Sequence, residues 1–148
     1  PDAQGQGAKS VTRREYDANG NLTALIDPRG SAAGTPYKTT YDYDFLDRKV
    51  KTTDAEGNVT SMTYDRADRV ATVRDGRLNA SGADASVFTK KFVYDAEGRV
   101  TSITDATGKT SSTAYDQVGN VLSSTDRLGR TTRFAYENAN RLMRRALP

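Results

Sequence analysis

The 148-residue chain contains no cysteine, no histidine and no tryptophan. Without cysteine it can build neither a disulfide framework nor a thiolate metal site. Without histidine it lacks the commonest general base and the commonest metal ligand of proteins. No apolar run approaches the roughly 18 residues that a membrane-spanning helix requires, and residues 1–10 lack the hydrophobic segment of a signal peptide. These absences argue against disulfide-rich, histidine-dependent and helical membrane proteins.

The chain also has few hydrophobic residues and little net charge. Hydrophobic residues make up 35% of it, and its mean hydropathy is −0.75. These values are low for a compact globule, yet Tyr, Val and Thr are too frequent and too regularly placed for a disordered segment. The net charge is +3, from 22 basic and 19 acidic residues, which argues against a dedicated polyanion binder. A single sheet with one face in water fits this balance.

Besides Tyr41-Asp42, a tyrosine followed by an acidic residue recurs six times, and in five of these cases an aspartate stands eleven positions after the tyrosine. The tyrosines are Tyr16, Tyr43, Tyr64, Tyr94, Tyr115 and Tyr136; the acidic residues are Asp17, Asp44, Asp65, Asp95, Asp116 and Glu137; the second aspartates are Asp27, Asp54, Asp75, Asp105 and Asp126. The tyrosines lie 27, 21, 30, 21 and 21 residues apart. The unit is therefore 21 residues long, with insertions at residues 31–36 and 79–84. A fixed period indicates that one supersecondary unit is stacked repeatedly.

Each unit contains two turn signals of the type Asp-x-x-Gly. The aspartate can accept a hydrogen bond from the backbone N–H two residues on, and the glycine can adopt a positive φ. The glycines are Gly20, Gly98 and Gly119 in the first turn, and Gly30, Gly57, Gly108 and Gly129 in the second. Three first turns carry Asp47, Asp68 or Asn140 instead. Asp and Asn tolerate the left-handed region best among other residues, so the fourth position is predicted to be left-handed throughout.

The runs between the turns have the pattern of short β-strands. The residue two before the tyrosine is often large, as in Tyr41, Met62, Phe92 and Phe134, and residues two apart lie on one face of a strand. No segment repeats apolar residues at the helical period. The chain is predicted to be all-β, with repeated antiparallel hairpins forming a curved meander sheet. Residues 1–10 are predicted to be a linker or a cut end, and residues 11–148 the repeat array.

The unit Tyr-Asp-x-x-Gly-Arg/Asn, followed by a short strand and Asp-x-x-Gly, resembles the YD repeat of RHS proteins. Such repeats occur in bacterial polymorphic toxins, in the cocoon subunit of insecticidal Tc toxins and in the teneurin adhesion receptors. The resemblance extends from Val11 to Leu142. It implies a secreted or cell-surface bacterial protein, in which YD hairpins form a hollow shell around a C-terminal toxin or effector domain. The partners it implies are the other repeats and the enclosed domain.

The size of the array limits what this chain can enclose. Five and a half units at two strands each predict roughly eleven strands, about 4.8 Å apart, or some 50 Å of sheet. A cavity for a guest of roughly 100 to 150 residues needs a wall of about 26 strands. The chain is therefore expected to supply under half a turn of wall. Its unpaired strand edges predict self-association when it is isolated.

Four other functions compete with this structural one. Asp42 and Asp44 lie two apart, which would place both on one strand face at a spacing compatible with the paired carboxylates of a glycosidase, but an added Tyr-Asp pair explains them better. The Asp-x-x-Gly turns lack the spacing of calcium loops. Repeated Tyr and Arg could bind carbohydrate as a surface adhesion module, while Arg141, Arg144 and Arg145 are more typical of a solvated cluster than of a nucleic-acid site. The chain is predicted to have no catalytic residue, metal or cofactor.

Overall fold

The structure, a computed structural model, describes residues 11–27, 37–76 and 89–148. The strands of this part of the chain are β1 (Arg13–Tyr16), β2 (Leu22–Asp27), β3 (Tyr37–Tyr43), β4 (Lys49–Thr53), β5 (Val59–Tyr64), β6 (Val70–Arg74), β7 (Thr89–Tyr94), β8 (Val100–Thr104), β9 (Thr110–Tyr115), β10 (Val121–Thr125), β11 (Thr131–Tyr136) and β12 (Leu142–Ala146). The described residues contain no α-helix, and so no helix that could cross a membrane. The predicted all-β class is confirmed. The described residues form twelve strands, compared with the roughly eleven expected.

The strands are antiparallel and hydrogen-bonded in chain order, which is the predicted meander. The chain divides into two compact units, Pro1–Ser61 and Met62–Pro148, with the boundary inside β5. In the first unit, β1 to β4 pair successively and β4 pairs with the start of β5. In the second unit, β6 to β12 pair successively. The segments predicted as a linker and as insertions, and Gly30, lie outside the described residues.

Five hairpins closed by the turn that follows a repeat tyrosine carry a β-bulge. In the β1–β2 hairpin, Glu15 is opposite Ala24 but Tyr16 is opposite Leu22, so Thr23 is an extra residue on the second strand. The same register shift occurs in the β3–β4, β7–β8, β9–β10 and β11–β12 hairpins. A bulge bends the strand and increases its local twist. The β-bulge thus recurs at the same position of the 21-residue repeat.

Successive units are joined in a constant register. The residue seven after the turn aspartate is opposite the residue three before the next tyrosine. The opposed pairs are Ala24 and Thr40, Lys51 and Ser61, Thr72 and Lys91, Ser102 and Ser112, and Ser123 and Arg133. Because side chains alternate between faces, a constant register keeps equivalent side chains on the same face of every strand.

The predicted alternation of faces is present, but the described residues contain almost no buried core. Phe92 and Tyr94 are half-buried, whereas Val93 between them is 55% exposed. Among the described residues the one buried hydrophobic side chain is Ala24, at 2% exposure. Side chains are therefore held chiefly by neighbouring strands of the same sheet, as in repeat proteins whose units contact only their neighbours.

Candidate functional site

The acidic residue at the start of each turn organises the turn around its carboxylate. In the turn at residues 44–47, Asp44 Oδ1 accepts hydrogen bonds from the backbone N–H groups of Leu46 and Arg48, each at 3.0 Å. The backbone N–H of Asp47 donates to the Asp44 carbonyl at 3.1 Å, and that of Asp44 donates to the Arg48 carbonyl at 2.9 Å. This is a type I turn followed by a left-handed residue, a common hairpin connection. The carboxylate thus binds the two N–H groups that point into the turn.

The same arrangement recurs in the turns that follow tyrosines and in the second turns of the units. One carboxylate oxygen accepts from the N–H groups two and four residues on in Asp17, Asp44, Asp54, Asp65, Asp105, Asp116 and Asp126. Hydrogen bonds to the charged form favour it. The Thr107 hydroxyl, at 2.6 Å, leads the contacts that lower the pKa of Asp105 to about 2. Bonding to Asn21 likewise lowers the pKa of Asp17, and bonding to Arg48 lowers the pKa of Asp44.

The fourth turn residue has the left-handed conformation predicted for it wherever the structure describes it. Asp47, Asp68 and Asn140 have φ of 59°, 59° and 58°. The glycines at the other turns have φ between 80° and 100°; they are Gly20, Gly57, Gly98, Gly108, Gly119 and Gly129. Since these conformations strain most side chains, the turn sequence is dictated by the backbone.

Sequence reasoning missed the role of the residue after the left-handed position, here called the exit residue. In every described turn it is Asn, Arg or Lys. Its side chain commonly binds the second oxygen of the turn carboxylate: Asn21 Nδ2 lies 3.1 Å from Asp17 Oδ2, and Arg48 Nε lies 2.8 Å from Asp44 Oδ2. The recurrence of Asn and Arg immediately after Gly was the available signal. Exit residues complete the binding of the carboxylate.

The tyrosine hydroxyls link successive hairpins, a role that the sequence did not reveal. Tyr43 donates to the carbonyl of Leu22 at 3.0 Å, and Tyr94 donates to that of Val70 at 2.8 Å. Tyr115 donates in the same way to the carbonyl of Val100 at 3.2 Å. Each accepting carbonyl belongs to the first residue of the second strand in the preceding hairpin. Burial raises the pKa of Tyr43, which keeps its hydroxyl a donor. The tyrosine therefore ties its hairpin to the one before it.

Exit arginines bridge neighbouring turns in the second compact unit, Met62–Pro148. Arg69 Nη1 donates to the Asp95 carbonyl at 2.9 Å, and its guanidinium lies 4.6 Å from the centre of the Tyr94 ring. Arg99 repeats the arrangement, with Nη1 3.0 Å from the Asp116 carbonyl and its guanidinium 4.6 Å from the centre of the ring of Tyr115. Each arginine therefore combines a bond within its own turn, a bond to the next turn and a cation–π contact.

Exit asparagines bridge neighbouring turns by a different route. In the first compact unit, Asn21 Nδ2 donates to Asp47 Oδ1 at 2.7 Å, and Asn19 Nδ2 donates to the same oxygen at 2.9 Å. In the second compact unit, Asn120 Nδ2 donates to Asn140 Oδ1 at 3.0 Å. Here the acceptor is the side chain of the left-handed residue in the next turn. Both routes fix one turn against the next.

The expectation that Asp42 and Asp44 share one strand face is wrong, because β3 ends at Tyr43 and Asp44 belongs to the turn. Asp42 Oδ2 pairs with Lys51 Nζ at 3.2 Å, whereas the carboxylate of Asp44 binds its own turn. In the part of the chain that the structure describes, no group of three or more acidic side chains is placed to hold a metal ion.

The C-terminal arginines do not form one patch. Arg144 is opposite Ala135 and Arg145 is opposite Phe134, so these consecutive strand residues point to opposite faces. Arg141 pairs with Glu137 in its own turn. All three arginines are exposed, as expected of solvated side chains, but strand geometry separates Arg144 from Arg145.

Comparisons with known proteins agree with the repeat pattern. The family model described as teneurin YD-shell matches residues 3–146. The crystal structure of TcdB2-TccC3-TEV is 19% identical over 94% of this chain and 10% of that chain, with a TM-score of 0.39. That of TcdB2-TccC3 is 16% identical over 90% of this chain and 13% of that chain, with a TM-score of 0.29.

The chain thus spans about a tenth of the length of the solved structures it resembles. No curated protein sequence matches it. The family match covers nearly the whole chain, including every described Tyr-Asp turn, and it confirms the resemblance to YD-repeat proteins. The chain belongs to the teneurin YD-shell family.

Proposed function

We propose that this chain is a non-enzymatic wall segment of a larger YD-repeat shell, which encloses a C-terminal toxin or effector domain. The observation that carries the proposal is the turn-to-turn bonding. Tyr43, Tyr94 and Tyr115 each donate to the preceding hairpin. The turn carboxylates are likewise used within the sheet rather than offered to a ligand. The family match supports a structural role for the wall.

A wall must resist rotation of one hairpin relative to the next. Two separate sets of hydrogen bonds join neighbouring hairpins, and each is here called a line. Backbone hydrogen bonds join β8 to β9 along their length. A second line lies at the turns, where Arg99 bonds to Asp116 and Tyr115 bonds to Val100. Because the two lines are separated along the strand, rotation of one hairpin about the other breaks bonds in at least one of them. The partners proposed are further repeats of the shell and the enclosed domain.

The alternative, a surface adhesion or carbohydrate-binding module, would need accessible aromatic faces. The rings of Tyr94 and Tyr115 are instead covered by Arg69 and Arg99, and both hydroxyls are engaged. Phe45 and Tyr16 remain accessible, at 90% and 59% exposure, and are the side chains that this alternative would use. A secreted or cell-surface bacterial location belongs to the shell proposal and rests on the family.

Protease protection of the enclosed domain tests the proposal. In the full-length shell polypeptide that contains these repeats, the domain that follows the shell should resist digestion under conditions that cleave it when it is expressed alone. Loosening the wall with the double substitution Tyr94→Ala and Tyr115→Ala should restore cleavage, whereas Tyr16→Ala should change it less. Equal cleavage of the domain with and without the repeats would refute enclosure. Glycan binding lost on these Tyr→Ala changes, but retained on Asp95→Asn, would favour the adhesion alternative.

A further inference from the structure

The turn that follows each repeat tyrosine is here called a tyrosine turn. The exit residue of one tyrosine turn and the left-handed residue of the next tyrosine turn along the chain occur in two main combinations. Asparagine is followed by a left-handed residue with an acceptor side chain: Asn21 by Asp47, and Asn120 by Asn140. Arginine is followed by glycine: Arg69 by Gly98, and Arg99 by Gly119. These are the four junctions whose contacts lie within one compact unit. In the remaining pair of successive tyrosine turns, the sequence has Arg48 and then Asp68, which fits neither combination.

The two combinations bridge the gap between turns in complementary ways. The arginine side chain is long enough to reach the backbone carbonyl of the next turn, as Arg69 reaches Asp95 at 2.9 Å. Asparagine is shorter, and at both of its junctions the next turn supplies the acceptor on a side chain. The bond from Asn21 to Asp47 is 2.7 Å long. The long arginine side chain thus donates to a backbone carbonyl of a turn that has glycine at the left-handed position. The shorter asparagine side chain donates to the side chain of the left-handed residue.

Space at the glycines agrees with this division. A Cβ built on Gly98 would lie 3.9 Å from Arg69 Nη1, and one on Gly119 would lie 3.8 Å from Arg99 Nη1. The Cβ alone is therefore tolerated, but a longer side chain would compete with the guanidinium for the same space. Gly108, in a second turn, would have nothing within 4 Å of its Cβ. The crowding is thus a property of the arginine junctions.

We propose that the exit residue and the following left-handed residue form a matched pair that selects which tyrosine turn lies against which. Arginine is matched with glycine at the left-handed position in two of its three occurrences, the exception being Arg48 with Asp68, and asparagine is matched with Asp or Asn in both of its occurrences. The pairing does not depend on what the shell encloses. It also assigns a partner to Arg141, whose side chain is 78% exposed: a Tyr-Asp-x-x-Gly turn of the type found at residues 16–20.

A double-mutant cycle at Arg69 and Gly98 in the 148-residue chain tests the proposal. Gly98→Asn should raise the unfolding equilibrium constant in the wild-type background. In the Arg69→Asn background the factor by which it raises that constant should be about five times smaller. The reason is that the asparagine introduced at position 69 can donate to the one introduced at position 98, as Asn120 donates to Asn140. The intrinsic cost of a left-handed asparagine is the same in both backgrounds, so it cancels. Gly108→Asn, beside no exit arginine of another turn, is the matched control and should be insensitive to Arg69→Asn.

The reverse cycle converts an asparagine junction into an arginine junction. Asn140→Gly should be less costly in the Asn120→Arg background than in the wild type, by a similar factor. Where denaturation has more than one phase, the hydrogen-exchange rates of the Asp95 and Glu137 amides, each bonded within its own turn, report the same couplings locally. Additive effects in both cycles, with Gly98→Asn costing as much as Gly108→Asn, would overturn the proposal.

Discussion

The hydroxyl of Tyr94 offers the sharpest test of the bonding between hairpins. It donates at 2.8 Å to the carbonyl of Val70 in the preceding hairpin, while the ring lies 4.6 Å from the guanidinium of Arg69. Tyr94→Phe removes the donor and keeps the ring, so the cation–π contact and the half-buried area remain. The substitution therefore isolates one hydrogen bond between hairpins.

The expected loss is about 1 kcal/mol, or about a fivefold rise in the unfolding equilibrium constant, because a typical intramolecular hydrogen bond contributes about that much net of water. The Val70 carbonyl is only partly buried, so water can replace the lost donor and the cost should not rise far above this value. Tyr94→Ala also removes the ring from Arg69 and should cost about twice as much or more.

Urea denaturation followed by far-UV circular dichroism measures the change, and Tyr16→Phe is the matched control. Tyr16 occupies the equivalent repeat position, but it is 59% exposed and its hydroxyl has no hydrogen-bond partner among the described residues. Its substitution should change stability by less than about 0.5 kcal/mol. Equal effects of Tyr94→Phe and Tyr16→Phe would show that the hydroxyl bond does not hold the hairpins together.

Three further outcomes are expected. Gly108→Val should destabilise the chain by roughly 1–2 kcal/mol or more and Gly108→Asn by clearly less, since φ is +80° and nothing crowds the site; equal losses in thermal unfolding would contradict the left-handed turn. The folded pKa of Asp105, about 2, lies below its ordinary value of 3.8, so its stabilisation is present above about pH 4 and lost as pH falls towards 2; Asp105→Asn should flatten that part of the stability–pH curve, and an unchanged slope would count against the Thr107 bond. Light scattering at about 100 μM should give the mass of a dimer that Arg141→Asn weakens, whereas a strictly monomeric mass would mean that the terminal strand edges are covered.

The sequence was sufficient for the features that repeat locally. The all-β class, the chain-order meander and the left-handed residues, including Asp47 and Asn140, follow from patterns within one unit. Turn chemistry and strand alternation are short-range properties, and their recurrence in successive units distinguishes them from chance.

The contacts between units could not be predicted in the same way. The bond from Tyr43 to Leu22 joins residues 21 apart in the sequence, and it depends on the register between hairpins rather than on either segment alone. The bulges that follow the tyrosine turns increase the local twist of the strands, and the residue pattern of the strands did not reveal them. The assignment of Asp44 to a strand failed for a related reason: its carboxylate binds the turn N–H groups, which ends β3 one residue earlier.

The constant register between units has a consequence for how such a gene can change. The residue opposite Ser112 in β8 occupies the same repeat position as the residue opposite Arg133 in β10. Unequal crossing-over between two copies of the unit therefore adds or deletes a whole hairpin and leaves every remaining side chain on its original face. A deletion of one residue within a strand instead turns all later side chains of that strand to the opposite face. Descendants of this array should consequently differ in length by whole hairpins, with point insertions confined to the connections outside the strands.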